Sequence, residues 1–361
     1  MLPILQRRTT VLILYFSIAA NVLFVGERFY RRLAMILEEE DDLDVGRMLH
    51  VGNSNGRPVM NLSSGEQCVQ HYGNGTCSDN YPTYHGQRLT HVVMPFHTSQ
   101  VGRVEGNLRL WQTFPPCSRE GQPASPLTGY HLVLYSSADS KKKAYIAELE
   151  ARLQAAVANL TSDVLSCFQS IEIQHANLSG SSDTYYKGTR LMIEKLLVGK
   201  VKLQYPGQYV FYMEPDCYPI RSNWLNALDT SVRWPQPSFW MKGSIYRGYN
   251  KGVYATRHPP QYFHMNGNAL YNVGDRQFRA WYIRHYRPYV QAATPRKDRS
   301  FDTDFWRFLY DLENIMVVRQ VIHKFVYAEI VMNYWKSSYS VAKLRETFPN
   351  TYLVHGGYQK P

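Results

Sequence analysis

The run Gln208-Tyr209-Val210-Phe211-Tyr212-Met213 ends in Glu214-Pro215-Asp216, and no other stretch limits so tightly what this chain can fold into. A β-branched and aromatic run of this kind reads as a buried strand. Unpaired buried charge is costly, so a buried strand that closes on two carboxylates implies something that binds them. Ligands of open α/β sheets sit beyond the carboxyl ends of the strands, which is where this pair emerges. Two carboxylates one residue apart on a turn can hold a divalent cation against a phosphate.

The surrounding pattern supports such a sheet. Leu89 to Pro95 reads as a first strand, followed by a helix over Val104 to Phe114. Tyr130 to Tyr135 reads as a second strand. Lys142 to Ala158 is amphipathic, with Ile146, Leu149, Leu153 and Val157 at helical spacing. Phe168 to Ile173 reads as a third strand, and Lys187 to Val198 as a helix stopped by Gly199. This alternation predicts a Rossmann-like α/β fold, a mostly parallel sheet with helices on both faces. The later half, rich in Tyr and Trp, breaks the pattern and is expected to build a second binding surface.

The N-terminus has a different character. Residues 9–26 form one nearly uncharged apolar run, long enough to span a bilayer. Arg7 and Arg8 precede it, and Glu27, Arg28, Arg31 and Arg32 follow it, so flanking charge does not orient it. A cleaved signal peptide competes with an uncleaved signal-anchor, but no convincing small-residue cleavage site precedes the charges. Four Asn-x-Ser/Thr acceptors follow, at Asn61, Asn74, Asn159 and Asn177. Together they place the bulk of the chain in the secretory lumen. The expected organisation is a cytosolic tail (1–8), an anchor (9–26), a stem rich in Gly, Asn, Ser and Pro (27–87) and one catalytic domain (88–361).

Five cysteines fit an oxidising compartment. Cys217 follows the carboxylate pair and reads as a buried free thiol. Cys68, Cys77, Cys117 and Cys167 then have three possible pairings, of which Cys68 to Cys77 closes the shortest loop. The formal charge of +11 suits an anionic substrate. Its basic residues are scattered and no nucleic-acid motif is present, so no nucleic-acid partner is expected.

An anchor, a stem, four alternating strands and an acidic turn together resemble the GT-A class of Golgi glycosyltransferases. The resemblance covers roughly residues 88–357 and rests on four patches. Glu214-Pro215-Asp216 stands where that class has Asp-x-Asp. By resemblance Asp216 binds the metal, and Glu214 faces the nucleotide ribose or a metal-bound water. His264-Met265-Asn266-Gly267-Asn268-Ala269-Leu270-Tyr271 is similar to the class's Gly-rich acceptor loop, which makes Asn266, Gly267 and Asn268 candidates for holding sugar hydroxyls. A tight hairpin built on Asn-Gly is the alternative reading. In Ser300-Phe301-Asp302-Thr303-Asp304, Asp302 aligns best with the catalytic base of inverting members, with Asp304 second. Either acid equally suits the first turn of a helix. His355, in Tyr352 to Gly357, matches a late histidine that several such enzymes place on the metal. Thr98, Ser99 and Arg103, after the first strand, are candidates for the nucleobase and diphosphate. Lys187 and Arg190 read better as a solvated helix face.

The resemblance implies inverting transfer from a nucleotide-sugar donor to a glycan, glycoprotein or glycolipid acceptor, with a divalent cation. An imidazole and two carboxylates suit Mn2+ better than calcium. It also implies a single-pass type II protein of the Golgi or ER membrane, held through its N-terminal anchor. A catalytically silent glycan-binding relative is the competing reading, and a nucleotidyltransferase on a similar fold a third.

Overall fold

The computed structural model describes residues 87–117, 129–204, 209–233, 238–248, 263–292 and 300–356. The expected tail, anchor and most of the stem lie outside the described residues, as do Cys68, Cys77, Asn61 and Asn74. Among the described residues no helix is long and apolar enough to cross a membrane. Contacts divide the chain into two units, one of residues 1–63 and 284–294 and one of residues 64–283 and 295–361. Of the first, the described part is helical, including Arg287–Ala292. Everything below concerns the second.

Its core is a seven-stranded sheet of order β3-β2-β1-β4-β7-β6-β8. The strands are β1 (Leu89–Phe96), β2 (Tyr130–Ser136), β3 (Phe168–His175), β4 (Tyr209–Tyr212), β6 (Met241–Gly243), β7 (Ala269–Asn272) and β8 (Phe325–Tyr327). β1 pairs in parallel with both β2 and β4, and β2 with β3. β7 runs antiparallel to β4 and β6, and β8 is parallel to β6. The mostly parallel α/β sheet expected from the alternation is therefore present. β1, β2 and β4 are buried along their whole length, which is why they read as continuous apolar runs. β3 lies at an edge and is half-buried.

Helix α1 (Val101–Thr113) joins β1 to β2, α2 (Lys143–Ala158) joins β2 to β3, and α3 (Tyr185–Leu197) precedes β4. α1 buries Val104, Leu108 and Trp111, the last stacked near Phe168 and Trp224 at 5.7 and 5.2 Å. Cys117 and Cys167 form a disulfide across 50 residues, worth about 4 kcal/mol in a chain-entropy account. Of the three pairings open in the sequence, this is the one that leaves Cys68 and Cys77 to each other. Cys217 is a buried free thiol, as expected.

The Tyr- and Trp-rich second half supplies lining to a cleft, Phe301 and Trp335 among it, and also packs many of its aromatics inside. Phe239, Trp240 and Tyr271 are buried and complete the core. Trp240 stacks on Phe278 at 5.2 Å, and Trp281 meets Phe305, Phe308 and Phe325 within 6 Å. The physical reason is that three short strands added to the sheet must be covered, and large rings supply the most apolar area per residue.

A second sheet, of order β5-β10-β9, positions the site. β10 (Leu353–Gly356) is antiparallel to β5 (Cys217–Pro219) and parallel to β9 (Val331–Tyr334). Its register sets His355 opposite both Cys217 and Asn333. The acidic turn, the late histidine and Asn333 thus meet although up to 141 residues separate Glu214 from His355 (355 minus 214).

At the base of the sheet, α4 (Trp224–Arg233) is tied to β1 and β2 by buried Asp229, which accepts from the Leu89 amide at 2.9 Å and the Tyr130 hydroxyl at 3.3 Å and pairs with Arg233 at 2.6 Å. Nearby, buried His91 and His131 stack at 4.9 Å. The Gln204 amide donates to His91 Nε2 at 3.1 Å, so that nitrogen must carry a lone pair and the ring must be neutral. Burial, helped by His131 and opposed by Glu172, lowers the His91 pKa from 6.5 to about 4. The unfolded chain therefore binds a proton that the folded one refuses between these values, and stability falls as pH drops through that window. We expect roughly 2 kcal/mol from His91 to be lost between pH 7 and pH 5, read from urea unfolding at each pH. His91→Gln should flatten that slope; an unchanged slope would count against the assignment.

Candidate functional site

The strand order reverses between β1 and β4, because the connection from β1 leads to β2 on one side while β4 lies on the other. In open α/β sheets this switch point opens a crevice at the carboxyl ends of the strands. Here a cleft of about 1060 Å³ opens at that place, with the Glu214 turn on one wall and the Ser300 to Arg307 segment among its lining.

The acidic turn is held from three directions. The Cys217 amide donates to the Glu214 carbonyl at 2.9 Å, closing the turn. Asn107, fully buried on α1, donates to the carbonyls of Pro215 and Cys217 at 3.3 and 2.7 Å, and Trp111 Nε1 fixes the Asn107 oxygen at 3.0 Å. The Gly356 amide donates to the Asp216 carbonyl at 3.0 Å. Gly356 has φ +133°, and a Cβ there would stand 2.6 Å from the Tyr334 carbonyl oxygen, so glycine is required. Asn107 carried no signal in the sequence; an Asn amid the apolar positions Val104, Leu108 and Trp111 was the one available hint.

Glu214, Asp216 and His355 each offer a ligand atom within 4.8 Å of the others. His355 Nε2 stands 3.5 Å from a carboxylate oxygen of each acid. Asn333 Oδ1 accepts from the Trp335 amide and faces His355 Nδ1, both at 3.1 Å. Nδ1 is therefore the donor, and Nε2 is the atom turned toward the acids. An outer partner that fixes the far ring nitrogen is the usual support for a metal-ligating histidine. Two carboxylates and an oriented imidazole fit a divalent cation such as Mn2+. Asp216 and His355 were the expected ligands, with Glu214 facing the ribose or a metal-bound water; the structure sets Glu214 beside the other two.

Electrostatically the three behave as one set. Burial raises the Glu214 carboxyl to about 7, with Asp216 and Asp302 adding to the shift and His355 opposing it. Burial also works against the charge of Asp216, but His355 and Arg103 outweigh it and hold that carboxyl below its usual range. Burial disfavours a charged His355, yet Asp216 first and then Glu214 and Asp302 carry it to about 9. A site this acidic calls for positive charge, from a proton on His355 or from a cation. Arg103 Nη1 lies 3.7 Å from Asp216 and lines the cleft, but its side chain is more than half exposed.

The Asn-Gly loop meets this set from the other side. Asn268 is fully buried, donates to Glu214 Oε2 at 3.0 Å and to Asn266 Oδ1 at 2.8 Å, and accepts from the Glu214 amide at 2.7 Å. Its amide group is thus spent on the acid, and it is Asn266 that lines the cleft. Gly267 packs against Phe301: a Cβ there would lie 2.5 Å from the ring. The loop leads into β7 rather than forming an isolated hairpin.

Asp302 starts helix α5 (Phe301–Tyr310) and is buried against the same loop. One oxygen accepts from the Gly267 amide at 3.2 Å and Asn266 Nδ2 at 3.3 Å; the other accepts from the Thr303 amide at 2.7 Å and from the Ser300 hydroxyl. His264 Nε2 is 3.8 Å away. Asp302 therefore lines the cleft and also clamps the helix start to the loop. Asp304, two residues on, is not among the residues lining the cleft, nor is Thr98; His97, Ser99, Gln100 and Arg103 face it from that segment. From α3 it is Tyr186, Gly188, Thr189 and Met192 that line it, not Lys187 or Arg190.

Two substitutions test this geometry. Asn333→Leu removes the acceptor that orients His355 and should weaken Mn2+ binding about 10- to 100-fold by calorimetry, with the fold retained; unchanged affinity would show that Asn333 does not set the ring. Gly267→Ala should cost about 1–3 kcal/mol in urea unfolding through its clash with Phe301, and Phe301→Leu should recover most of it.

No protein-family model matches the chain, and no curated protein matches it in sequence. Solved structures resemble it in part. The galactosyltransferase LgtC, solved with donor and acceptor sugar analogues, is 15% identical over 75% of this chain and 88% of its own, with a TM-score of 0.43. Mouse xyloside xylosyltransferase 1 is 12% identical over 76% of this chain and 99% of its own, with a TM-score of 0.40. The glycosyltransferase GlyE of Streptococcus pneumoniae TIGR4 is 11% identical over 74% of this chain and 54% of its own, with a TM-score of 0.38.

Proposed function

We propose that this chain is a glycosyltransferase that moves a sugar from a nucleotide-sugar donor to an acceptor hydroxyl, using Mn2+ or a similar divalent cation. The observation that carries the reading is the convergence of Glu214, Asp216 and His355 at the sheet's switch point, with an outer Asn333 that aims the imidazole inward. The GT-A resemblance of the acidic turn, the Asn-Gly loop and the Asp302 helix start supports it.

In this reading Asp216, His355 and Glu214 hold the cation. Bound there, it would neutralise charge that builds on the leaving diphosphate. Arg103, exposed at the cleft beside Asp216, faces the same phosphates. Asn266 holds the sugar side, while Asn268 keeps Glu214 in place and the Gly267 backbone is spent on Asp302 and Tyr271. Asp302 takes the proton from the acceptor hydroxyl, with inversion at the anomeric carbon. The two hydrogen bonds on its Oδ2, at 3.2 and 3.3 Å, are the longer pair and leave that oxygen the more available of the two.

The same proposal places the protein in the Golgi or ER membrane as a single-pass type II protein with its cleft in the lumen. The apolar run of residues 9–26, the Cys117–Cys167 disulfide and the exposed sequons Asn159 and Asn177 support that location.

Purified full-length chain, offered a panel of UDP- and GDP-sugars with an acceptor mixture, should turn over at least one donor only when Mn2+ is present. Asp216→Ala should abolish that dependence and the turnover with it; full activity in this variant would remove the metal assignment. Asp302→Asn should lower kcat about 100- to 10,000-fold, and, since both carboxylate oxygens accept hydrogen bonds, should also lower the melting temperature. NMR of the product should show inverted anomeric configuration, and retention would sink Asp302 as the base. Glycan binding with no turnover of any donor would favour the silent relative instead.

A further inference from the structure

Arg307 is a cation of the cleft that the proposed chemistry does not use. It stands in the last turn of α5, one helical turn beyond Thr303, and both residues line the cleft. A cation in a last turn suits the helix dipole by about 0.3–1 kcal/mol, and that role asks only for a solvated side chain. Here the side chain is half-buried, and its Nη1 is shut off from solvent with no hydrogen-bond partner. Among the described residues Arg307 makes no ion pair either. The other cations of the cleft are answered. Arg103 stands 3.7 Å from Asp216, His355 faces both acids at 3.5 Å, and Lys336 rests over the Trp335 ring at 4.3 Å. The acids are engaged as well: Asp302 accepts on both oxygens, and Asp183 faces His97 at 3.6 Å.

We propose that Arg307 receives a carboxylate carried by one of the sugars in the cleft, so that the substrate is an acidic sugar of the uronic acid class. Assigning the anion to a sugar rests on the glycosyl-transfer reading; the anion site itself does not. A guanidinium with a buried nitrogen and no counter-charge is strongly unfavourable, so the ligand must supply charge as well as a hydrogen-bond acceptor. A sugar hydroxyl would satisfy the hydrogen bond and leave the charge unanswered. The planar guanidinium fork matches a carboxylate, which it binds through two parallel hydrogen bonds. The count of charges selects a carboxylate over a phosphate monoester. Of the other residues that α3 and α5 present to the cleft, only Asp302 is charged; Tyr186, Gly188, Thr189, Met192, Phe301 and Thr303 are neutral. One cation in a neutral wall balances one negative charge, and a phosphate monoester carries nearly two.

Placement along the helix points to the sugars rather than to the diphosphate. Arg103 and the acidic set at Glu214, Asp216 and His355 already serve the diphosphate in the proposed reading, and Arg307 pairs with none of those acids. The Arg307 backbone lies five residues beyond Asp302, roughly 7.5 Å along the helix axis. Helical side chains lean back toward the helix start, so its guanidinium reaches along the α5 wall toward the place where donor and acceptor meet at Asp302. The carboxylate belongs to the donor sugar or to the acceptor sugar, and its chemistry at Arg307 is the same in both cases.

The test begins with binding, which needs no turnover. The full chain is titrated with methyl glucuronide and methyl galacturonide, and with the methyl glucoside and galactoside that lack the carboxylate. The unaltered chain should bind one of the acidic probes at least about 10-fold more tightly than its neutral counterpart. Arg307→Gln should erase that difference by weakening the acidic probe alone, and Arg307→Lys should keep part of it. The melting temperature of Arg307→Gln should not fall, since an unpaired buried charge is removed. Equal binding of acidic and neutral probes by the unaltered chain overturns the proposal. Equal loss of both in Arg307→Gln also overturns it, in favour of a structural role. Turnover with Mn2+ then separates the two sources. Preference for UDP-glucuronate or UDP-galacturonate over the neutral donors places the carboxylate on the donor, and preference for a uronate-ended acceptor places it there. Transfer between neutral sugars with no gain from a carboxylate on either rejects the acidic-sugar assignment and keeps the glycosyl-transfer reading. Arg307-dependent binding of an acidic probe with no turnover of any donor would sustain the anion site and reject that reading.

Discussion

Two carboxylates held within 4.8 Å of each other, at the buried end of a strand, repel by roughly 3–4 kcal/mol at an effective dielectric of about 20. The rest of the site answers that repulsion. His355 supplies a nitrogen equidistant from both acids, Arg103 approaches from the open side, and Asn268 gives Glu214 a hydrogen bond and takes one from its amide. Asn107 and Gly356 hold the backbone so that the acids cannot swing apart. The structure keeps together charges that water would separate.

The sheet architecture makes this possible at little cost elsewhere. β1 and β4 end side by side at the switch point, so the loops that follow them diverge and leave a crevice. The small second sheet then carries β10 against the turn through β5, which converts a distant histidine into a neighbour. Asp302 joins the two halves of the cleft, since its carboxylate binds both the Asn-Gly loop and the first turn of α5. Loop, helix start and acidic turn are consequently one hydrogen-bonded body.

Local pattern carried the reading of the first half well, because parallel strands buried on both faces must be apolar throughout and their covering helices must be amphipathic. β1, β2, β4 and the helices between them stand within a few residues of the positions their periodicity indicated. The second half was less legible. Its strands are three or four residues long, too short for a period to show, and residue type does not separate aromatics such as Phe301 and Trp335, which line the cleft, from Trp240 and Trp281, which fill the core. Asn333 and Asn107 were not legible as site residues, since the contacts that tie them to the site run to His355 and to Pro215 and Cys217, more than twenty residues away. Thr98 was a reasonable candidate by residue type, but the turn that follows β1 presents its neighbours to the cleft instead.

The acidic pair at the end of an apolar strand was determined by the sequence alone, because burial and charge are both written in residue identity. So were the alternation that builds the sheet and the free thiol at Cys217. Tertiary structure decided which groups answer the acids, since hydrogen-bond registers between strands far apart in the chain have no local code. It assigned Glu214 to the cluster beside Asp216 and His355, and turned Asn268 from a sugar contact into a support. It gave Asp302 a clamp as well as a place in the cleft, because only the folded chain brings the Gly267 amide to its oxygen.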